Sequence, residues 1–137
     1  LNSMRLVLLT ALWACCIASS NVIADDSLTL EAAPAVVIQT IPVAGDGAVS
    51  PDVKEIRVVF SKDMKDGSWS WSTVTKDSFP ALAGKPRYTD KRTCVLPVKL
   101  QPETTYGIWL NSSKFGEFRD AEGTSAIPYL LVFRTTK

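Results

Sequence analysis

Few side chains in this chain could do chemistry, and their types narrow the choices quickly. There is no histidine anywhere, which removes the commonest general base, the base of a serine triad and the commonest metal ligand. Three cysteines occur, Cys15 and Cys16 near the start and Cys94 far downstream, so neither a thiolate cluster nor a Cys94 partner within the body of the chain is available. Cys94 sits in an apolar run and reads as a small buried hydrophobe, an intermolecular bridge being the alternative. A glycosidase needs two carboxylates facing each other across a cleft. The candidates Asp63, Asp66, Asp90, Asp120 and Glu122 all fall in turn-like segments, where acids are usually solvated. Calcium could use Asp120, Glu122 and a loop carbonyl, but their spacing is not that of an EF-hand loop. No phosphate-cradling glycine loop is present. These absences point to a non-enzymatic protein with no catalytic, cofactor-binding or metal-binding residues.

Aromatic and apolar positions carry the remaining signal. Along the strand that starts at Thr105, residues Tyr106, Ile108 and Leu110 share one face, which leaves Gly107, Trp109 and Asn111 on the other. In Tyr129–Thr135, Tyr129, Leu131 and Phe133 alternate with Leu130, Val132 and Arg134. If Tyr106 and Phe133 point to the core, Trp109, Leu130 and Val132 form an outward apolar patch with Arg134 at its edge. Such a patch marks an interaction surface for a protein or glycan partner. The competing expectation is that the long 111–128 connection folds over Trp109 and buries it. Trp69 and Trp71 share one face of Ser68–Val74 and are expected in the core; tryptophan faces stacked on sugar rings are the alternative. Phe60, Leu100, Tyr106 and Phe133 are assigned structural roles. Asn111-Ser112-Ser113 is a formal glycosylation sequon.

The elements that must position these residues are strands. Helical spacing is hard to find, and short β-rich runs recur between turn residues. They are 35–41, 55–60, 68–74, 86–89, 92–98, 105–110 and 129–135. Ile56, Val58 and Phe60 alternate with Glu55 and Arg57 as in a half-buried strand. About seven strands in roughly 100 residues predict an all-β Greek-key sandwich of the immunoglobulin type.

The first 24 residues predict a secretory signal peptide: Met4-Arg5, an uncharged apolar run from Leu6 to Ile17, then small residues with Val22 and Ala24 before Asp25. The run is short of the about 20 residues that span a bilayer. Leu12-Trp13-Ala14-Cys15 offers a second reading, lipid anchoring through Cys15 or Cys16, with Trp13 out of pattern. Residues 25–33 are expected as a flexible lead-in and 34–137 as the folded domain. Arg5 is the one charged residue of 1–24, so 15 basic and 14 acidic residues become 14 of each. With no basic block, nucleic acid is excluded as a partner. The expected location is secreted, periplasmic or at the cell surface, with no membrane span after cleavage.

Several local patterns also line up in one order. Thr40-Ile41-Pro42 leads to Gly47-Ala48; Phe60-Ser61-Lys62-Asp63-Met64 ends a strand; Leu100-Gln101-Pro102-Glu103-Thr104-Thr105-Tyr106 makes a corner. Asp120-Ala121-Glu122-Gly123 and Phe133-Arg134-Thr135 close the series. Over about 34–136 the chain resembles the bacterial Ig-like domain family of the surface-layer-protein type. The resemblance implies a non-catalytic spacer, adhesion or assembly module, and a Tyr106 hydroxyl bonded back to the backbone near Leu100. The Ser-Trp-Ser-Trp-Ser run and the single domain behind a signal peptide depart from that family's pattern.

Overall fold

The computed structural model of the chain describes residues 27–137. The expected signal peptide, Cys15, Cys16 and the first two residues of the lead-in lie outside the described residues. Eight strands form: β1 Val37–Ile41, β2 Glu55–Phe60, β3 Trp71–Thr73, β4 Ala81–Leu82, β5 Arg87–Tyr88, β6 Thr93–Lys99, β7 Thr105–Leu110 and β8 Tyr129–Arg134. One sheet has the order β1-β2-β6-β4, with β5 also on β6; the other has the order β3-β7-β8. All strand pairs are antiparallel. The fold is an Ig-like β-sandwich.

Its core follows from period-two patterning. Ile56, Val58 and Phe60 of β2 and Cys94, Leu96 and Val98 of β6 meet Ile108 and Leu110 of β7 and Leu131 and Phe133 of β8. Residues that alternate along a strand project to one face, so each sheet delivers one apolar surface to the contact. Phe60 and Phe118 pack with ring centres 5.0 Å apart, and Trp71 meets Phe118 edge-on at 5.3 Å, the tilted geometry aromatic quadrupoles favour.

Differences from expectation have local causes. The predicted seven strands become eight because Ala81–Leu82 and Arg87–Tyr88 pair with opposite ends of β6. The run expected as a strand over 68–74 narrows to 71–73. Its start is spent elsewhere: Ser70 Oγ accepts the Glu117 amide at 2.9 Å, and Ser68 Oγ donates to the Glu117 carbonyl. Part of the expected flexible lead-in is docked. Ala33 N donates to Thr29 O at 2.9 Å, and Lys62 Nζ donates to the carbonyls of Glu31 and Ala33 at 2.8 and 3.2 Å.

Candidate binding surfaces

The motifs that looked local turn out to be halves of contacts. Lys62 Nζ reaches Asp120 Oδ2 at 3.2 Å, and the Ala121 amide donates to Asp63 O. Asp120 Oδ1 accepts the amides of Glu122 and Thr124 at 3.1 and 2.9 Å, closing a turn that ends on Gly123 at φ +93°. Asp120 is 1% exposed. Burial pushes its carboxyl up and is the largest single effect, but the Thr124 amide, the Lys62 ammonium and the Glu122 amide together hold it below its ordinary value. Every lone-pair direction in use goes to the protein's own donors, so this acid braces a turn. Asp63, which is half-buried, has its carboxyl lowered by the Arg92 guanidinium, whose Nε lies at 2.8 Å. Among the described residues no group of three His, Cys, Asp or Glu side chains could hold a metal ion.

The corner is stitched in the same way. Tyr106 Oη accepts the Gln101 amide at 2.7 Å, and Thr135 Oγ1 accepts the Thr104 amide at 2.9 Å while donating to Gln101 O. Phe60, Leu100, Tyr106 and Phe133 are all buried.

Asn111 is the functional-looking residue whose role the sequence disguised. It is 1% exposed, at φ +56°. Its Nδ2 donates to the carbonyls of Phe118 and Ala126 at 2.9 Å each, and its Oδ1 accepts the Phe118 amide at 2.8 Å. The amide nitrogen a glycan would need is thus a buried structural donor. The 111–128 connection that it ties turns inward, burying Phe118 and Ala126 in the core. A turn of the same connection, closed by Ser112 N on Phe115 O at 2.7 Å, presents Phe115 to solvent.

Two apolar surfaces stand out. On the outside of the β3-β7-β8 sheet, Trp109 pairs with Leu130, Gly107 with Val132 and Thr105 with Arg134. Leu130 is 41% and Val132 38% exposed, Trp109 is half-buried, and Arg134 Nη1 donates to Thr105 Oγ1 at 3.2 Å. Val74 extends the strip, lying where a Cβ on Gly107 would meet it at 3.3 Å. The outside of the other sheet differs. There Glu55 bonds Arg57 at 2.9 Å and Arg87 at 3.4 Å. Both arginines flank Val95, which is fully buried although it faces outward. Long charged side chains can roof an apolar position in this way; the β7–β8 face has no such roof.

The second surface is an apolar cleft of about 510 Å³ on the lateral side of the sandwich, between β3 and β4. Trp69, Trp71 and Phe79, each half-buried against the core, floor it with Leu96; Leu82 and Phe115 form its rim. Trp69 and Trp71 therefore do line one side, as their spacing predicts, but at the margin of the core. The Trp71 indole N–H is buried without a hydrogen-bond acceptor. Cys94 is a free thiol, fully buried, and burial pushes its pKa up to about 12.

The model of the bacterial Ig-like domain matches residues 31–135, and the chain belongs to that family, a non-catalytic one. No curated protein matches the chain. Domains of the family are typically extracellular or surface-exposed. Among the described residues no helix is long and apolar enough to cross a membrane.

Proposed function

We propose that the chain is a non-catalytic recognition and assembly module of the bacterial cell envelope, exported to the periplasm or cell surface, which meets a partner protein on the outside of the β3-β7-β8 sheet. The observation that supports this is the contrast between the two outer faces: ion pairs cover Val95 in the middle of one and leave Ile41 open at its β1 edge, while Val74, Trp109, Leu130 and Val132 make a partly exposed apolar strip across the other. Contiguous apolar surface of this kind is unfavourable in water and becomes favourable on docking. Arg134 at the rim would orient the partner through a charged contact. A protein fits better than a sugar, because Trp69 and Trp71 pack against the core and, among the described residues, leave Trp109 without a second tryptophan beside it as a stacking platform.

The test is retention of the purified domain on isolated bacterial envelopes, with a Leu130→Glu, Val132→Lys double variant as the control. Both positions are partly exposed, so the fold should survive with an unchanged melting curve. Retention of the native chain and its loss in the variant are expected, and protease treatment of the envelopes should abolish binding. Equal retention of both chains would refute the assigned face. Loss on polysaccharide digestion would instead make the partner a glycan.

A further inference from the structure

The lateral cleft has a feature that the outer sheet face lacks: it lies between two unpaired strand edges. β3 ends one sheet and β4 ends the other. Along β3, the Asn111 amide donates to Ser70 O at 3.1 Å, and Trp71, Ser72 and Thr73 stand opposite Leu110, Trp109 and Ile108. Hydrogen-bonded and non-bonded pairs alternate along an antiparallel ladder, so Ser70 and Ser72 spend their backbone groups on β7. Trp71, which lines the cleft, and Thr73 just beyond it turn theirs outward along the edge. Exposed edges of this kind are usually blunted by charges, proline or a covering loop; β3 has none of these within its three residues, Trp71-Ser72-Thr73.

The chemistry of the walls narrows the occupant. No lining residue of the cleft is charged. Its floor reaches Leu96, a member of the main core, so an apolar side chain entering there would extend the core. The rim residues Leu82 and Phe115 are 54% and 55% exposed. At about 510 Å³ the cleft falls within the size range of ordinary ligand pockets. A lipid tail would satisfy the walls but not the outward backbone groups, and a glycan would satisfy the backbone groups but not the walls. An extended peptide satisfies both, since its backbone pairs with the edge while alternate side chains point to one side.

We infer that the β3 edge and the adjoining cleft form an acceptor site for an uncharged, extended peptide segment of another protein, added as a fourth strand to the β3-β7-β8 sheet with its alternate apolar side chains seated against Trp69, Trp71 and Phe79. The site is separate from the outer face proposed above and uses none of its residues.

The probe is a capped heptapeptide alternating threonine with leucine, titrated into the full chain. Its twin carries N-methyl groups on alternate amides, which remove the donors but keep the apolar side chains. Tryptophan emission should shift to the blue in a saturable way, and amide exchange at Trp71 and Thr73 should slow by about tenfold or more. The N-methylated twin and the Leu82→Glu and Phe115→Glu variants should each weaken binding by about tenfold or more, while Leu130→Glu should not. Equal binding of the twin would overturn strand addition, as would protection at β1 instead of β3 or no saturable shift. Self-association of the chain that Leu82→Glu abolishes would make the occupant a second copy and would equally overturn the inference.

Discussion

Removing the Asn111 side chain tests whether one buried amide organises the whole 111–128 connection. Two buried backbone groups lose their partner, the Phe118 amide and the Ala126 carbonyl, while the Phe118 carbonyl keeps the Ala126 amide at 2.8 Å. A stranded buried polar group costs about 1–3 kcal/mol. A water in the vacated space could recover part of that for the Ala126 carbonyl, so the low end of the range applies and Asn111→Gly should lose about 2 kcal/mol. Asn111→Ala loses the same bonds and also forces a Cβ-bearing residue without a side-chain hydrogen bond to hold φ +56°, which adds about 1 kcal/mol. At about 4–8 °C per kcal/mol for a domain near this size, Asn111→Gly should melt roughly 8–16 °C lower, and Asn111→Ala lower still. Urea and thermal unfolding followed by circular dichroism give the totals, and exchange of the Phe118 amide gives the local effect. A loss below about 1 kcal/mol in Asn111→Gly would refute the reasoning, because the three bonds would then be replaceable by solvent. Equal losses in the two variants would remove the backbone part of it.

Phe118→Ala should cost about 3–5 kcal/mol, since the ring fills the space between Phe60 and Trp71; urea unfolding measures the loss, and Trp71 emission should change in the folded state. Tyr106→Phe, which only deletes the acceptor of the Gln101 amide, should cost about 1–2 kcal/mol in the same measurement. Cys94 should resist a thiol reagent at pH 8 in the native protein and react at once in denaturant, because burial holds its pKa at about 12; rapid native labelling would contradict that. Asp120 has a folded pKa below its unfolded value of about 3.9, so the stability it contributes is complete above that value and disappears as pH falls through the folded one. Native stability should therefore fall below about pH 4, and Asp120→Asn should flatten that part of the pH profile.

Strands with strict alternation could be read from the sequence almost residue for residue. β2 and β7 fall on the predicted runs, and Tyr106–Phe133 and Ile108–Leu131 stand opposite each other in the observed register. The parts that escaped are those decided by a partner far along the chain. Ala81–Leu82 has no pattern of its own and is a strand only because Lys99 and Val98 offer it an edge. Asn111 looks like a surface sequon until Phe118 and Ala126 close around it. Asp120, spaced like a turn acid, proved to be one, but its buried tie to Lys62 depends on packing that no local spacing encodes. The outward set of Trp109, Leu130, Val132 and Arg134 could be read because period two fixes a face; the lateral cleft could not, because it lies between strands of different sheets.

This division bears on what the family signature reports. Lys62 and Asp63 meet the Asp120 turn, Thr135 meets the Gln101–Thr104 corner, and Gly45 N bonds Val132 O. Each motif is one side of a backbone or turn contact that closes the sandwich, so two chains could share them all and still bind different partners. The residues free to set specificity lie between the motifs: Trp109, Leu130 and Val132 on the sheet face, Leu82 and Phe115 at the cleft. A change at Lys62, Asp120 or Tyr106 should lower stability and reduce binding only through the folded fraction. A change at Leu130 or Phe115 should alter binding at constant stability. That separation, measured as unfolding free energy against partner retention across the five variants, distinguishes a scaffold that carries recognition on its surface from one whose signature residues themselves make the contact.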